Sequence, residues 1–254
     1  MASEAGRKGT CQPCTHEGAG RAVTDTARPV YRLDQTKAHT RYRLASGEIV
    51  PGVTTVLGLL DKPALLKWAW NCGRDGIDIE KARDSAASVG TICHARIEAW
   101  LRGMDFDAAN VSHEFIERST IGFTRFVDWW RSQELTVEAC ELKLISERLR
   151  VGGTADILAK RPNGRRLLID VKTANGIYRE QRIQVATYAA MWEEVTMTPL
   201  DVFSGAPMID EVWIVRVGKD EADDIEPVEV RNREACLAAF AALAQTYHLL
   251  KAVK

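Results

Sequence analysis

Two carboxylates and a lysine at strand spacing are the residues of this chain best suited to chemistry. Asp170 and Lys172 stand two apart in Leu168-Ile169-Asp170-Val171-Lys172-Thr173, and Asp156 ends Val151-Gly152-Gly153-Thr154-Ala155-Asp156 at hairpin distance before them. Residues i and i+2 of a strand share a face, so Asp170 and Lys172 project together. Acids brought together repel, and a divalent cation turns that cost into attraction. A hard cation so held polarises phosphate oxygens, acidifies water and stabilises a leaving oxygen, which is what phosphodiester hydrolysis requires. A lysine beside it orients water or neutralises charge developing on the phosphate. Taken alone, Asp-x-Lys is frequent and reads as a surface salt bridge. Here it ends an apolar strand and precedes a helix carrying Gln184 and Tyr188.

The elements that must position these residues follow from periodicity. A period of two over Thr136 to Ile145 predicts a strand with Val137, Ala139, Glu141, Lys143 and Ile145 on one face and Leu142 and Leu144 on the other. This selects Glu141 over Glu138 as the acid accompanying the motif. Gly153 to Lys160 is a second strand, Asn163-Gly164 marks a turn, and Arg166 to Lys172 returns antiparallel. A helix over Ile177 to Val195 brings back Gln184 and Tyr188, with Arg179 and Arg182 available to a phosphate backbone. The hairpin residues Lys160, Arg161, Arg165 and Arg166 offer a second basic set.

Upstream, a helix from about Lys81 to Arg102 carries His94 and Glu98 one turn apart, and Ser112 to Ser132 repeats apolar residues at Phe115, Ile116, Phe123, Phe126, Val127 and Trp130. Before these, short strands near Tyr31 and Arg41 and a hairpin at Ser46-Gly47 lead to short helices over Thr54 to Leu60 and Pro63 to Cys72. The second is expected to pack Leu65, Leu66, Trp68 and Ala69 inward. Strands over Val212 to Val217 and Pro227 to Val230 and a helix over Arg233 to Val253 complete the chain. Residues 1–28 lack an apolar period and read as a flexible tail; Cys11-x-x-Cys14 followed by His16 suits one half of a zinc site, but no second half is evident and the unstructured reading is preferred. The remainder, 29–254, reads as one α/β domain with a mixed central β-sheet flanked by α-helices.

The motifs together resemble the PD-(D/E)XK nuclease superfamily, in particular its RecB-like, phage and CRISPR-associated exonucleases and the mitochondrial genome maintenance exonuclease. The resemblance runs from about Val50 to Trp192, through Val50-Pro51-Gly52-Val53-Thr54-Thr55, Gly90-Thr91-Ile92-Cys93-His94 with Glu98, Glu141, Gly153-Thr154-Ala155-Asp156, Asp170-Val171-Lys172-Thr173 and Gln184-x-x-x-Tyr188. It implies a restriction-endonuclease-like core in which His94, Asp156, Asp170 and the Val171 carbonyl hold Mg²⁺ or Mn²⁺. Lys172 is then the catalytic lysine, Glu141 an acid near the metal or its water, and Gln184 and Tyr188 a supporting pair. Ala155 stands where the superfamily's name has proline, a position without a ligand. The iron-sulfur members need three cysteines near the C-terminus, and only Cys236 lies downstream of the motif, so no cluster is expected. A nitrogen ligand suits Mn²⁺ better than Mg²⁺, and activity with both is expected.

The implied function is a divalent-metal DNA exonuclease acting at single-stranded or duplex ends in recombination, repair or replication, of phage or bacterial kind, with a recombination or replication protein as a possible partner. The alternatives are a non-catalytic DNA-end-binding component and a structure-selective endonuclease on the same fold. A net charge of −1 excludes coating of nucleic acid by bulk charge and leaves a local groove. No apolar run is long enough to span a bilayer and no apolar leader follows Met1, so no membrane contact and a cytoplasmic location, the bacterial host's if phage-encoded, are expected.

Overall fold

The computed structural model describes residues 28–33, 40–196, 208–218 and 224–253. Most of the tail, with Cys11, Cys14 and His16, lies outside them. In chain order the elements are β1 (Val30–Arg32), β2 (Tyr42–Arg43), β3 (Ile49–Val50), α1 (Val53–Leu57), α2 (Pro63–Arg74), α3 (Ile79–Leu101), β4 (Asp105–Asp107) and α4 (His113–Ser132). There follow β5 (Thr136–Ser146), β6 (Val151–Lys160), β7 (Arg166–Lys172), α5 (Arg179–Thr196), β8 (Glu211–Arg216), β9 (Glu226–Glu229) and α6 (Arg233–Ala252).

Strands β5 to β9 form one mixed sheet in chain order. Only β7 and β8 run parallel, because α5 carries the chain over the sheet between them, and every other pair is antiparallel. The unbroken apolar run of β7 follows from this central place: Leu167, Leu168, Ile169 and Val171 are all at most 1% exposed. One core gathers Leu158, Leu168, Val212 and Ile214 with Val185, Tyr188 and Met191 of α5 and Phe240 of α6. The other gathers Ile157, Leu167, Ile169, Val171 and Val215 with Cys93 and Ile97 of α3 and Phe126, Trp129 and Trp130 of α4. No described helix is long and apolar enough to cross a membrane.

Three expectations change. The alternation along β5 is interrupted: Ala139 joins Leu142 and Leu144 in one core while Val137 packs on the other. A bulge lies between Val137 and Ala139, and Glu141 adopts a left-handed φ of 55°. The short β4, which pairs parallel with β1, has too few residues to show a period. Helix α2 does not pack its leucines inward, Leu65 being 53% and Leu66 75% exposed.

Close backbone approach on β6 depends on two glycines. A Cβ at Gly152 falls 2.1 Å from Tyr42 Cγ, and one at Gly153 falls 2.3 Å from Tyr188 Cε1. The rings of β2 and α5 therefore occupy the volume that side chains would take. Gly153→Ala is expected to destabilise the protein by about 1–3 kcal/mol through overpacking, whereas Gly73→Ala, on α2 with nothing within 4 Å of its added Cβ, is neutral or stabilising. Urea unfolding of the two variants beside the parent protein tests this, and equal midpoints would remove the packing argument.

Candidate metal-dependent active site

The ladder between β6 and β7 ends at Ile157–Ile169, just before the two acids, while β7 and β8 stay paired as far as Lys172–Arg216. The parting of β6 from β7 frees the Val171 N–H, which donates to Asp156 Oδ2 at 2.8 Å. This bond fixes Asp156 across the opening from Asp170. Asp170 is 1% exposed, and its neighbour two residues on places Lys172 Nζ 2.6 Å from Asp170 Oδ2.

His94 reaches the same place from the opposite layer. Gly90 lets α3 approach the end of β7, since a Cβ there would lie 2.7 Å from Thr173 Oγ1, and His94 follows one turn later. Arg96 anchors this part of α3 to α4 by donating to the Ile116 carbonyl, Ser119 and Thr120, with Phe123 under its guanidinium. His94 Nδ1 stands 3.7 Å from Asp156 Oδ2, beyond hydrogen-bond range. The ring also bonds to the backbone of Val171, and because that bond favours the protonated ring its acceptor is the carbonyl.

One ammonium serves two sequestered carboxylates, so the site carries excess negative charge. Burial pushes the Asp170 carboxyl up to about 6, with Lys172 opposing and Asp156 reinforcing the rise. Asp156 is raised by burial as well, against the pull of Lys172 and the Val171 N–H. Burial disfavours the Lys172 cation, but the two acids outweigh it and hold its pKa above the ordinary lysine value. Burial and Lys172 bring His94 down to about 4, so its ring is neutral at pH 7 and has a lone pair to give.

Among the described residues no three His, Cys, Asp or Glu side chains form a ready-made metal cage. The donor set nonetheless suits a divalent cation. The buried Asp170 carboxylate has the Lys172 ammonium at Oδ2 and no described partner at Oδ1, the neutral His94 imidazole and the Asp156 carboxylate act on it, and the Val171 backbone bonds to both of those side chains. Lys172 occupies the neighbourhood that a cation would share with it.

The remaining candidates divide. Gln184 Nε2 donates to the Tyr188 hydroxyl at 3.0 Å, and burial and the nearby Asp170 and Asp156 charges raise the Tyr188 pKa strongly, placing this pair beside the acids. Thr173 packs against Gly90. Arg179 is taken by Asp61, and Arg182 exerts its charge on Cys236 of α6. In the hairpin set, Arg161 and Arg165 clamp Glu211 and Arg166 holds Glu138 at 2.8 Å, all at the far end of β7 from Lys172. Glu138 is thereby separated from the motif. Glu141 is felt at Tyr31 and Cys140. Glu98, one turn beyond His94, accepts from Tyr31 at 2.6 Å and Arg102 at 2.8 Å and acts electrostatically on both His94 and Asp156. Its spacing from His94 was the signal that could have placed it at the site.

No protein-family model matches the chain, and no curated protein matches it. Among solved structures, a candidate exonuclease from Eubacterium rectale is 10% identical with a TM-score of 0.42, the match covering 61% of this chain and 64% of that one. The protein SSO0001 is 15% identical with a TM-score of 0.33, over 65% of this chain and 74% of its own. Both are distant likenesses.

The raised Asp170 pKa sets a direction for stability. The folded state holds that proton more tightly than the unfolded chain, so the contribution is complete below the ordinary value of 3.8 and is lost as pH rises through about 6. The lowered His94 pKa acts in the opposite direction over the same window, so the expected signature is a difference: the stability of the metal-free parent relative to Asp170→Asn falls as pH rises from about 4 to 6. At pH 7.5, Mn²⁺ is expected to raise the unfolding temperature of the parent protein and not of Asp170→Asn, since a ligand bound only by the folded state adds about 2.7 kcal/mol at a hundredfold excess over its Kd. Calorimetry with and without Mn²⁺ decides it; an equal Mn²⁺ response in both proteins would place the ion elsewhere.

Proposed function

We propose that the protein is a PD-(D/E)XK-type, divalent-metal-dependent DNA exonuclease. The observation that carries this reading is the convergence of His94, Asp156, Asp170 and Lys172 where β6 and β7 part, with the buried Asp170 carboxylate held by the Lys172 ammonium at Oδ2 and without a described partner at Oδ1. His94, Asp156, Asp170 and the Val171 carbonyl are the groups that would hold Mg²⁺ or Mn²⁺. The bound ion supplies Lewis-acid polarisation of the phosphate and an acidified water.

The chain's own residues have separable tasks. Val171 N–H fixes one Asp156 oxygen and leaves the other available. Lys172, held above its ordinary pKa, stays cationic and can shift from Asp170 to a phosphate oxygen as charge grows there. The half-buried site limits competing water, which strengthens these interactions relative to bulk solvent. Gln184 holds the Tyr188 hydroxyl and so acts as a positioning residue beside the acids. Glu141 is assigned to the acid set by its motif, and its left-handed φ of 55° is strain of the kind that collects at functional sites; its charge acts on Tyr31 and Cys140. The activity is assigned to DNA ends in recombination, repair or replication, in a cytoplasmic setting.

End-labelled linear DNA is expected to be shortened by the purified protein with Mg²⁺ or Mn²⁺ and to be left intact in EDTA. Asp170→Ala should abolish the activity and Lys172→Ala reduce it by at least about a hundredfold, with the fold of both checked by circular dichroism. Metal-dependent degradation at the parent rate in both variants would refute the site. Cutting of circular single strands would move the assignment to an endonuclease, and retention of DNA ends without cleavage under any metal would move it to an end-binding component.

A further inference from the structure

Helix α2 keeps its apolar residues in water. Leu65, Leu66 and Trp70 are 53%, 75% and 65% exposed, and Cys72 is its one buried residue. Beneath it, between α2, α3 and the connection leading from β7 to α5, lies a cleft of about 860 Å³. Trp68 of α2 and Tyr178 of the connection line it from different elements, and the small side chains of Ala82 and Ala86 leave the α3 side open. Lys62, Arg83 and Arg179 on its border outnumber Asp61 and Glu180. Arg83 and Arg179 are held only in exposed ion pairs, which exchange readily for another anion.

Two stretches of chain lead from the cleft to the candidate active site. Asn175 of its lining lies three residues beyond Lys172, and Ala86, Gly90 and His94 succeed one another by single turns of α3. Eight helical residues span about 12 Å, so the cleft lies within a few nucleotides of the acids. Duplex binding draws on many cations directed at phosphates, which this border lacks. Aromatic faces with a few cations are what unpaired bases use.

We infer that this cleft is a stacking subsite for the unpaired bases of a single-stranded DNA segment whose end lies at the acids. The inference rests on the nuclease reading and gives it a substrate form: Trp68 and Tyr178 take the bases, while Lys62, Arg83 and Arg179 face the backbone.

The test is binding by the full chain, in EDTA, of a fluorescein-labelled oligothymidylate and of a blunt duplex, read by anisotropy. Trp68→Ala and Tyr178→Ala are each expected to weaken single-strand binding at least about fivefold, the equivalent of about 1 kcal/mol for a lost stack, and to leave duplex binding unchanged. Trp70→Ala is the control on the same helix, its ring being outside the cleft lining and next to the Arg74 guanidinium at 5.3 Å, and should bind as the parent does. Photocrosslinking of the parent protein to 5-iododeoxyuridine oligonucleotides, which needs no variant, should give adducts on Trp68 or Tyr178. Unchanged single-strand binding in both variants, or adducts confined to other elements, would overturn the subsite. A dimer lost in Trp68→Ala with oligonucleotide binding intact would assign the cleft to a second copy of the chain and overturn it equally. Because binding is read without metal, the outcomes separate: Lys172-dependent cleavage with Trp68-independent binding removes the subsite and keeps the nuclease, and the reverse pattern keeps the subsite and removes the catalytic assignment.

Discussion

A carboxylate kept almost wholly out of water, at Asp170, is the constraint on which the other features depend. Burying an ionised acid is costly unless it is paired, and Lys172 alone must serve both Asp170 and Asp156. The imbalance leaves a site that favours either a proton or a further cation. The fold does not relieve it: β7 is sealed on both faces, and the opening of the β6–β7 ladder commits the Val171 N–H to Asp156 and leaves Asp170 with Lys172 as its described donor. Local instability of this sort is affordable only because the surrounding strands are buried and paired.

Three glycines show how the supporting elements come close enough. Gly152 and Gly153 admit the rings of Tyr42 and Tyr188, and Gly90 admits Thr173, so that a strand, a following helix and a preceding helix all meet at the end of β7. Tyr42 then joins Thr154 through their hydroxyls at 3.0 Å, and Tyr188 receives Gln184. Positioning here comes from backbone proximity first and hydrogen bonding second. Helix α3 has a double part in this arrangement, since its His94 end belongs to the acids and its Ala82 and Ala86 end borders the cleft under α2.

The charges that do not serve the site are engaged elsewhere. Glu211 gathers Arg161, Arg165 and the Trp213 indole N–H, tying the β6–β7 turn to β8 at the end of the sheet remote from Lys172. Arg233 similarly joins α6 to Glu193 and to the Ile209 carbonyl. These contacts tie the sheet to its turn and to α6 at the end remote from Lys172.

Local sequence determined the elements with long periods and strong stops: β7 falls at Arg166–Lys172 as expected, and α3, α4, α5 and α6 lie within about two residues of their expected bounds. Spacing and residue type also singled out Asp156, Asp170 and Lys172, and the resemblance to the nuclease superfamily added His94, Gln184 and Tyr188. Tertiary structure decided what periodicity cannot carry. A bulge and a left-handed Glu141 overturn the alternation on β5, Arg179 and the hairpin arginines pair with other acids, and Arg182 acts on Cys236 of α6. The amphipathic pattern of α2 says only that one face is apolar; whether a core covers that face depends on where α3 and the β7–α5 connection run, and they leave it open. Spacing along a chain fixes which side chains share a face, while the company that face keeps depends on contacts between residues far apart in sequence.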